Sequence, residues 1–273
     1  MSWSMWGRPS VLWMRKRQKK PLRCFHNWEN WMIWTIHRKA IHNFDTVPYF
    51  ELKNDEISFP PAYFADIDGL LAVGGTMSIE RLLLAYNSGI YYWHYPLKHI
   101  KWWSPDPRIV LRPNAFEMPQ SRLDSLLKDF DIRVDSHFEE VLRGCQRVYN
   151  IDGQMDNRWL AERMVRMFME LHQKGYAHSV EAWKDGKLVG GLFGVAIEKL
   201  FFVEYVFSTV EHADEAALLY LIKKLKDQDF ELMDMQKATF FFSGIEFDEM
   251  PRLEYVGLCK ENANTFRDVP TEF

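Results

Sequence analysis

Before Gly175, apolar positions repeat mainly every three to four residues, which is typical of helices with one buried face. In the first such helix Ser78 is the predicted N-cap, and Leu82, Leu83 and Tyr86 form the apolar face. The same spacing predicts three further helices, two of which begin at capping boxes. The two helices with capping boxes begin at Ser121 and at Ser136, and the third helix covers Arg158–Lys174.

After Gly175 the period becomes two, which indicates strands. Asp185 and Gly186 form a dipeptide that favours a hairpin turn between two of them. The predicted order is strands Ala177–Trp183, Leu188–Ile197 and Leu200–Phe207, then a helix Asp214–Lys226 and a strand Leu232–Gln236. An antiparallel meander followed by a helix and a strand is typical of an N-acetyltransferase-like α/β domain, although a fold alone does not assign a function.

Residues 47–60 are predicted to be extended, Tyr91–Trp103 to form an aromatic loop, and 109–113 to form a short strand. We therefore expect an α/β (α+β) protein with a small N-terminal domain at 47–110. The N-acetyltransferase-like domain would occupy 111–273.

The predicted acetyltransferase-like domain lacks the usual coenzyme A site. In that fold a glycine-rich turn lets backbone N–H groups approach the pyrophosphate at a helix N-terminus. Here the corresponding segment, Ser208–Glu215, contains no glycine and carries three acidic residues. We therefore expect no acetyl-CoA chemistry.

Composition indicates a protein of the cytoplasm. The chain of 273 residues is 47% hydrophobic and has no apolar run long enough for a membrane span. Its three cysteines, Cys24, Cys145 and Cys259, are far apart, so neither a disulfide framework nor a zinc site is predicted. We expect reduced thiols and no bound metal.

Charge is divided unevenly along the chain. Residues 1–46 carry nine Lys or Arg against Glu29 and Asp45, a balance of +7. Since the net charge is −4, the remaining residues carry −11. The first 46 residues also hold six of the eleven tryptophans but show no steady period. We interpret them as a disordered or non-native extension outside the fold; an RNA-binding arm and a membrane-surface contact are the alternatives.

Several ordered segments resemble the leucyl/phenylalanyl-tRNA–protein transferase family. The most specific is the run Trp-Trp-Ser-Pro-Asp-Pro-Arg at Trp102–Arg108. The other matching segments are Phe59–Pro61, Asp66–Gly75, Glu80–Tyr86, Ala177–Trp183, Leu188–Ala196, the Asp234/Gln236 pair and Pro251–Arg252. A series of motifs in one order, over roughly residues 47–256, is far more specific than any one of them.

The resemblance implies an aminoacyltransferase that takes Leu, Phe or sometimes Met from aminoacyl-tRNA. The acceptor would be the α-amino group of a protein that begins with Arg or Lys, and the new N-terminus would mark that protein for degradation under the N-end rule. The family needs no metal and no small cofactor, and we expect a monomer without a membrane partner.

Asp234 and Gln236 are the candidate catalytic residues. If both lie on one strand, their side chains share a face, and the carboxylate can orient the amide toward the attacking amine. Glutamine is too weak a base to remove a proton fully, so we interpret Gln236 as an orienting acceptor. Since the unperturbed α-amine has a pKa of about 8, a strong protein base is unnecessary.

The resemblance also assigns binding residues. Glu204 matches the acidic residue that would receive the cationic Arg or Lys side chain, although Tyr205 and Val206 beside it replace smaller or less apolar residues. Tyr86, Trp93 and Trp159 match the adenosine platform, and Arg108 is a candidate phosphate contact. The predicted aminoacyl pocket consists of Leu192, Phe201, Leu218, Leu221, Leu225 and Met233, which would serve equally as core.

Two alternatives remain open on the sequence alone. The changed residues beside Glu204 are compatible with a transferase that uses another amine acceptor. A non-catalytic module that binds tRNA or protein N-termini is the other.

Overall fold

A seven-stranded sheet, built mainly from strands in the second half of the chain, forms the centre of the fold. The computed structural model describes residues 49–93, 100–148, 162–236, 245–264 and 273. The chain divides into two compact units, 1–43 and 44–273, and all of the described residues belong to the second. The predicted extension and Trp159 lie outside the described residues.

The larger sheet has the strand order β11-β5-β10-β9-β8-β7-β6, and its neighbours are antiparallel except for the parallel pair β9 and β10. The strands are β5 (Arg108–Leu111), β6 (Asp131–Val134), β7 (Ala177–Lys184), β8 (Lys187–Ile197), β9 (Leu200–Ser208), β10 (Leu232–Asp234) and β11 (Asp248–Met250). A smaller sheet has the order β1-β2-β4-β3. Its strands are β1 (Phe50–Leu52), β2 (Leu70–Gly74), β3 (Tyr91–Trp93) and β4 (Lys101–Trp103).

Helices pack on both faces of the larger sheet. They are α1 (Ile79–Asn87), α2 (Gln120–Asp129), α3 (Phe138–Val148), α4 (Glu162–Gln173), α5 (Ala213–Asp227) and α6 (Arg252–Asn264). Alternate residues of β9 separate the two faces: Phe201 and Val203 pack with α2 and α5, whereas Leu200 and Phe202 pack with α1, α3 and α4. The apolar cluster that contains Leu200 and Phe202 continues into the small sheet through Leu71 and Trp102.

The predicted α/β fold is confirmed, since a helix, the meander β7–β8–β9, the helix α5 and the strand β10 follow in the expected order. The hairpin turn is confirmed as well, because Asp185 and Gly186 both have positive φ, 51° and 72°. Ser78 caps α1 by accepting a hydrogen bond from the Arg81 amide at 3.2 Å. The division at 110/111 stays a prediction.

Three local expectations are wrong. Tyr91–Trp93 and Lys101–Trp103 are paired strands and not a loop, since aromatic residues fit a sheet that is buried by the helices beside it. Ser121 lies inside α2, which follows Pro119. Ser136 does not complete a capping box: its hydroxyl donates to Glu181, whose other oxygen accepts from the His137 amide at 2.7 Å.

Among the described residues, none of the helices is long and apolar enough to cross a membrane.

Candidate active site

Glu204 lies at a β-bulge in the middle of the larger sheet. Phe193 of β8 pairs with Tyr205, but the next residue, Gly194, pairs with Val203, so Glu204 has no cross-strand partner. A Cβ on Gly194 would stand 2.3 Å from the carbonyl oxygen of Phe202, so glycine is required for this close approach. Glu204 keeps the side of the sheet on which Leu200 and Phe202 pack, and the bulge brings the next residue, Tyr205, to that side as well.

Two neutral groups hold the Glu204 carboxyl. The Tyr86 hydroxyl and the Gln236 side-chain amide donate to the same oxygen, Oε1, at 2.7 and 2.6 Å. Glu204 is 9% exposed, and burial raises its pKa to about 7 although these hydrogen bonds act in the opposite direction. Burial and the adjacent carboxyl also hold the Tyr86 pKa well above its usual value, so this phenol is a neutral donor.

Gln236 lies beyond the end of β10, which corrects the expectation of one strand over Leu232–Gln236. The strand ends at Asp234, and Gln236 has the left-handed φ of 58°. Its backbone amide donates to Oδ1 of Asp234 at 2.6 Å. Asp234 therefore holds the main chain of Gln236, and Glu204 holds its side-chain amide.

This arrangement fixes which end of the Gln236 amide faces away from Glu204. The NH₂ group donates to Glu204 Oε1, which also accepts from the Tyr86 hydroxyl, so the carbonyl oxygen Oε1 of Gln236 is turned elsewhere. Gln236 is half-buried. Its Oε1 is thus a fixed acceptor beside a buried acid.

Asp234 forms a buried ion pair with Arg108. The guanidinium donates from Nε to Oδ1 at 2.9 Å and from Nη2 to Oδ2 at 2.7 Å, and both side chains are 1% exposed. Arg108 lies between the rings of Tyr91 and Tyr255, with its central carbon 4.8 and 4.7 Å from their centroids. Burial alone would lower the Arg108 pKa, but Asp234 more than offsets it and the pKa is raised.

Two of the residues predicted to contact tRNA, Arg108 and Tyr86, are buried inside the structure. Arg108 could reach a phosphate only by breaking its pair with Asp234, so we assign it to the reaction centre. Tyr86 is fully buried, its ring 4.7 Å from that of Phe202 and its hydroxyl on Glu204, which leaves no ring face for adenine. Trp93 ends β3, and its side chain and Trp159 lie outside the described residues.

The six predicted pocket residues come together, but as core. Leu192, Phe201, Leu218, Leu221, Leu225 and Met233 are all at 0% exposure and belong to one cluster under α5. Met233 neighbours Phe201 on the adjacent strand and immediately precedes Asp234. Since consecutive strand residues face opposite sides, this cluster lies on the face of the sheet away from the Asp234 side chain, and the pocket stays a prediction.

Sequence reasoning missed Tyr255, whose hydroxyl donates to Oδ2 of Asp234. A lone tyrosine in a helix is normally read as core, and only its position three residues after the matched Pro251–Arg252 pair could have drawn attention to it. Within the described part of the chain, no group of His, Cys, Asp and Glu side chains could hold a metal ion.

Two family models match this chain. The family model described as "Leucyl/phenylalanyl-tRNA protein transferase" matches residues 110–260, and that of the family's N-terminal domain matches residues 75–106. A leucyl/phenylalanyl-tRNA–protein transferase of Syntrophobacter fumaroxidans is 42% identical over 79% of this chain and 92% of its own. One from Saccharophagus degradans is 41% identical, over 75% of this chain and 84% of its own.

Similar solved structures are more distant. The structure of L-PGS from Bacillus licheniformis has a TM-score of 0.38 at 12% identity, covering 64% of this chain and 57% of that one. A GCN5-related N-acetyltransferase from Kribbella flavida has a TM-score of 0.35 at 12% identity, covering 60% of this chain and 57% of that one. Such values support no argument, whereas sequence identity above 40% across most of both chains does. The chain therefore belongs to the leucyl/phenylalanyl-tRNA–protein transferase family.

Proposed function

We propose that this aminoacyltransferase moves Leu or Phe, with Met as a further donor, from tRNA to the α-amino group of proteins that begin with Arg or Lys. The observation that carries the proposal is the buried Glu204 carboxyl beside the Gln236 amide, 2.6 Å away. The Glu204 carboxyl can receive the cationic side chain of the acceptor, while the amide oxygen of Gln236 accepts a hydrogen bond from the acceptor's α-amine.

Glu204 is suited to a cationic acceptor. Its hydrogen-bond donors, Tyr86 and Gln236, are neutral, so they leave its negative charge uncompensated. An Arg or Lys side chain would supply the missing positive charge through a charge-assisted hydrogen bond. The same charge would lower the Glu204 pKa from about 7, so binding the acceptor would release a proton from the carboxyl.

The reaction is ester aminolysis. The neutral α-amine attacks the ester carbonyl; the C–N bond forms, the bond to the ribose oxygen breaks, and a proton passes from the amine to the leaving oxygen. Gln236 Oε1 accepts a hydrogen bond from the α-amine, which orients the lone pair of the amine nitrogen toward the ester carbonyl. Most of the rate enhancement would come from holding the amine against the ester, which requires no strong base.

The donor would insert its side chain into the apolar cluster under α5. That cluster is lined by apolar residues, Leu192, Phe201 and Met233 among others. Differences of one methylene are worth only about 1–3 kcal/mol, so Leu, Phe and Met would be separated poorly. Trp93 and Trp159 remain the residues that we propose for the terminal adenosine.

We propose that the product, which would carry Leu or Phe at its N-terminus, is degraded under the N-end rule in the cytoplasm.

The test is transfer from labelled Leu-tRNA and Phe-tRNA to three peptides that differ only in their first residue, Arg, Lys or Ala. An Arg peptide with an acetylated α-amine is the control, since it keeps the side chain but cannot react. Label on the Arg and Lys peptides alone supports the proposal.

Other outcomes select other functions. Equal transfer to the Ala peptide indicates a different amine acceptor, for which Tyr205, half-buried next to Glu204, would be the structural reason. Binding of aminoacyl-tRNA without transfer would indicate a non-catalytic module.

A further inference from the structure

Tyr255 joins helix α6 to the candidate catalytic residues. Its side chain is 1% exposed, its hydroxyl donates to Oδ2 of Asp234, and its ring covers one face of the Arg108 guanidinium. Asp234 thus accepts hydrogen bonds from three side-chain groups, which are Nε and Nη2 of Arg108 and the hydroxyl of Tyr255. Both residues are distant from Asp234 in sequence.

Asp234 in turn determines the conformation of Gln236. A left-handed φ is disfavoured for any residue other than glycine, so the turn at Gln236 requires support. The hydrogen bond from the Gln236 amide to Oδ1 of Asp234 provides it. If the Asp234 carboxylate rotated, this acceptor would leave the amide and the Gln236 side chain would lose its aim at Glu204.

We propose that Tyr255 is a positioning residue for aminoacyl transfer, which acts by fixing the Asp234 carboxylate and, through it, Gln236. Because Tyr255 is 1% exposed, it would act without touching either substrate. The inference rests on the proposed function of Gln236 as the acceptor for the attacking amine.

Helix α6 is anchored well enough for this task. At its first residue, Arg252, the backbone amide donates to the Asp106 carboxylate at 3.1 Å. The Arg252 guanidinium donates to the carbonyl oxygens of Ala65 and Asp66 at 3.1 and 3.2 Å. Tyr255 is one turn further along and therefore approaches Asp234 from a fixed base.

Tyr255→Phe is the informative substitution, because it keeps the ring on Arg108 and removes only the hydroxyl. The matched control is Asn262→Ala on the same helix, which removes hydrogen bonds to Glu231, Leu258 and the Lys199 amide. We expect Tyr255→Phe to lower kcat about 10- to 100-fold, the range for a misplaced group, with acceptor KM and aminoacyl-tRNA Kd nearly unchanged. Asn262→Ala should lower the melting temperature and leave kcat unchanged.

A double substitution separates positioning from a general structural effect. In a Gln236→Ala background, Tyr255→Phe should cause no further loss of kcat, since the group that it positions is already absent. Losses that multiply in the double variant, or an unchanged kcat in Tyr255→Phe, would overturn the inference.

Hydrogen exchange gives a readout that does not depend on catalysis. Tyr255→Phe should increase the exchange rate of the Gln236 backbone amide about tenfold, while Asn262→Ala leaves that amide protected. If the unmodified protein transfers nothing, the proposed function fails, but this measurement still decides the positioning role. An exchange rate unchanged by Tyr255→Phe would contradict it.

Discussion

Glu204 is a buried carboxyl held by neutral donors, among them the Tyr86 hydroxyl and the Gln236 amide. Burial raises its pKa to about 7 from an ordinary value of 4.5, so the folded protein holds a proton there that the unfolded chain releases at lower pH. Asp234, two residues from Gln236, is instead matched by Arg108. The charge of Asp234 is therefore balanced by a cation, whereas Glu204 is held by neutral donors.

We expect Glu204→Gln to stabilise the fold at high pH. Between about pH 4.5 and 7 the folded state binds more protons than the unfolded state, so the stability of the unmodified protein falls as pH rises and levels off above 7. The amide can accept the same hydrogen bonds and has no such dependence. Urea unfolding should show the variant more stable by about 3 kcal/mol at pH 8, with little difference near pH 5.

The control for that measurement is Glu211→Gln, since the Glu211 side chain is 89% exposed. It should change the free energy of unfolding by no more than about 0.5 kcal/mol at either pH. A Glu204→Gln variant that is less stable than the unmodified protein at pH 8 would show that the carboxylate is compensated in the fold.

Substitution of Gln236 should mainly lower turnover, whereas substitution of Trp93 should mainly lower tRNA affinity. Gln236→Ala removes the proposed acceptor for the amine, so turnover should fall more than tRNA affinity. Trp93→Ala removes a proposed stacking surface, worth about 1–3 kcal/mol, so tRNA affinity should fall more than turnover. Single-turnover rates and filter-binding constants separate the two, and equal effects on binding alone would contradict both roles.

Helices and strands with local signals were predictable from the sequence. The Ser78 cap, the turn at Asp185 and Gly186, and the meander after it follow from side-chain chemistry within a few residues. Elements that depend on distant partners were not. The cap of α3 comes from Glu181, 44 residues beyond the His137 amide that it accepts from, and no local pattern contains that information.

The loop expected over Tyr91–Trp103 failed for a related reason. Tyr92 pairs with Trp102 across the β3–β4 ladder, where aromatic residues are favoured once helices cover the sheet. The end of β10 was missed because the hydrogen bond from the Gln236 amide to Asp234 replaces continued strand pairing. The first feature depends on the packing of helices against the sheet, whereas the second is a local turn that the strand period does not show.

Arg252 should matter for the anchoring of α6 more than its place at a helix end suggests. Arg252→Ala removes two charge-assisted hydrogen bonds to carbonyl oxygens of the turn at 65–66. We expect the free energy of unfolding to fall by about 3 kcal/mol. Lys223→Ala, which breaks an exposed pair with Asp227 on α5, is the control and should cost about 0.5 kcal/mol or less.

Denaturant unfolding measures both variants. If Arg252→Ala cost no more than Lys223→Ala, the contacts with Ala65 and Asp66 would not anchor the helix.

Across the full length of the chain, charge and chemistry are separated. The first 46 residues carry +7 and the rest −11, yet the family motifs and the candidate site all lie in the acidic part. The motif resemblance proposed Asp234, Gln236 and Glu204 as site residues and Arg108 as a phosphate contact, whereas the contacts of Arg108 and Tyr255 with Asp234 are visible only in three dimensions. The Arg108–Asp234 pair joins residues 126 positions apart, so no spacing rule could have revealed it.

Deletion of residues 1–46 tests whether the basic segment contacts tRNA. If it lies outside the function, the shortened protein should keep its transfer rate and the same dependence of tRNA affinity on salt. Each lost phosphate contact would reduce the slope of log K against log salt by about 0.7–0.9. A shallower slope with weaker binding would identify the segment as an RNA-binding arm.

The most direct test of aminoacyl transfer to cationic N-termini compares the unmodified protein with Glu204→Gln. Labelled Phe-tRNA is the donor, and kcat/KM is measured for two peptides that differ only in beginning with Arg or with Ala. We predict a strong preference of the unmodified protein for Arg and near-equal values for the two peptides with Glu204→Gln. Equal transfer to both peptides by the unmodified protein, or an Arg preference that survives Glu204→Gln, would contradict this account.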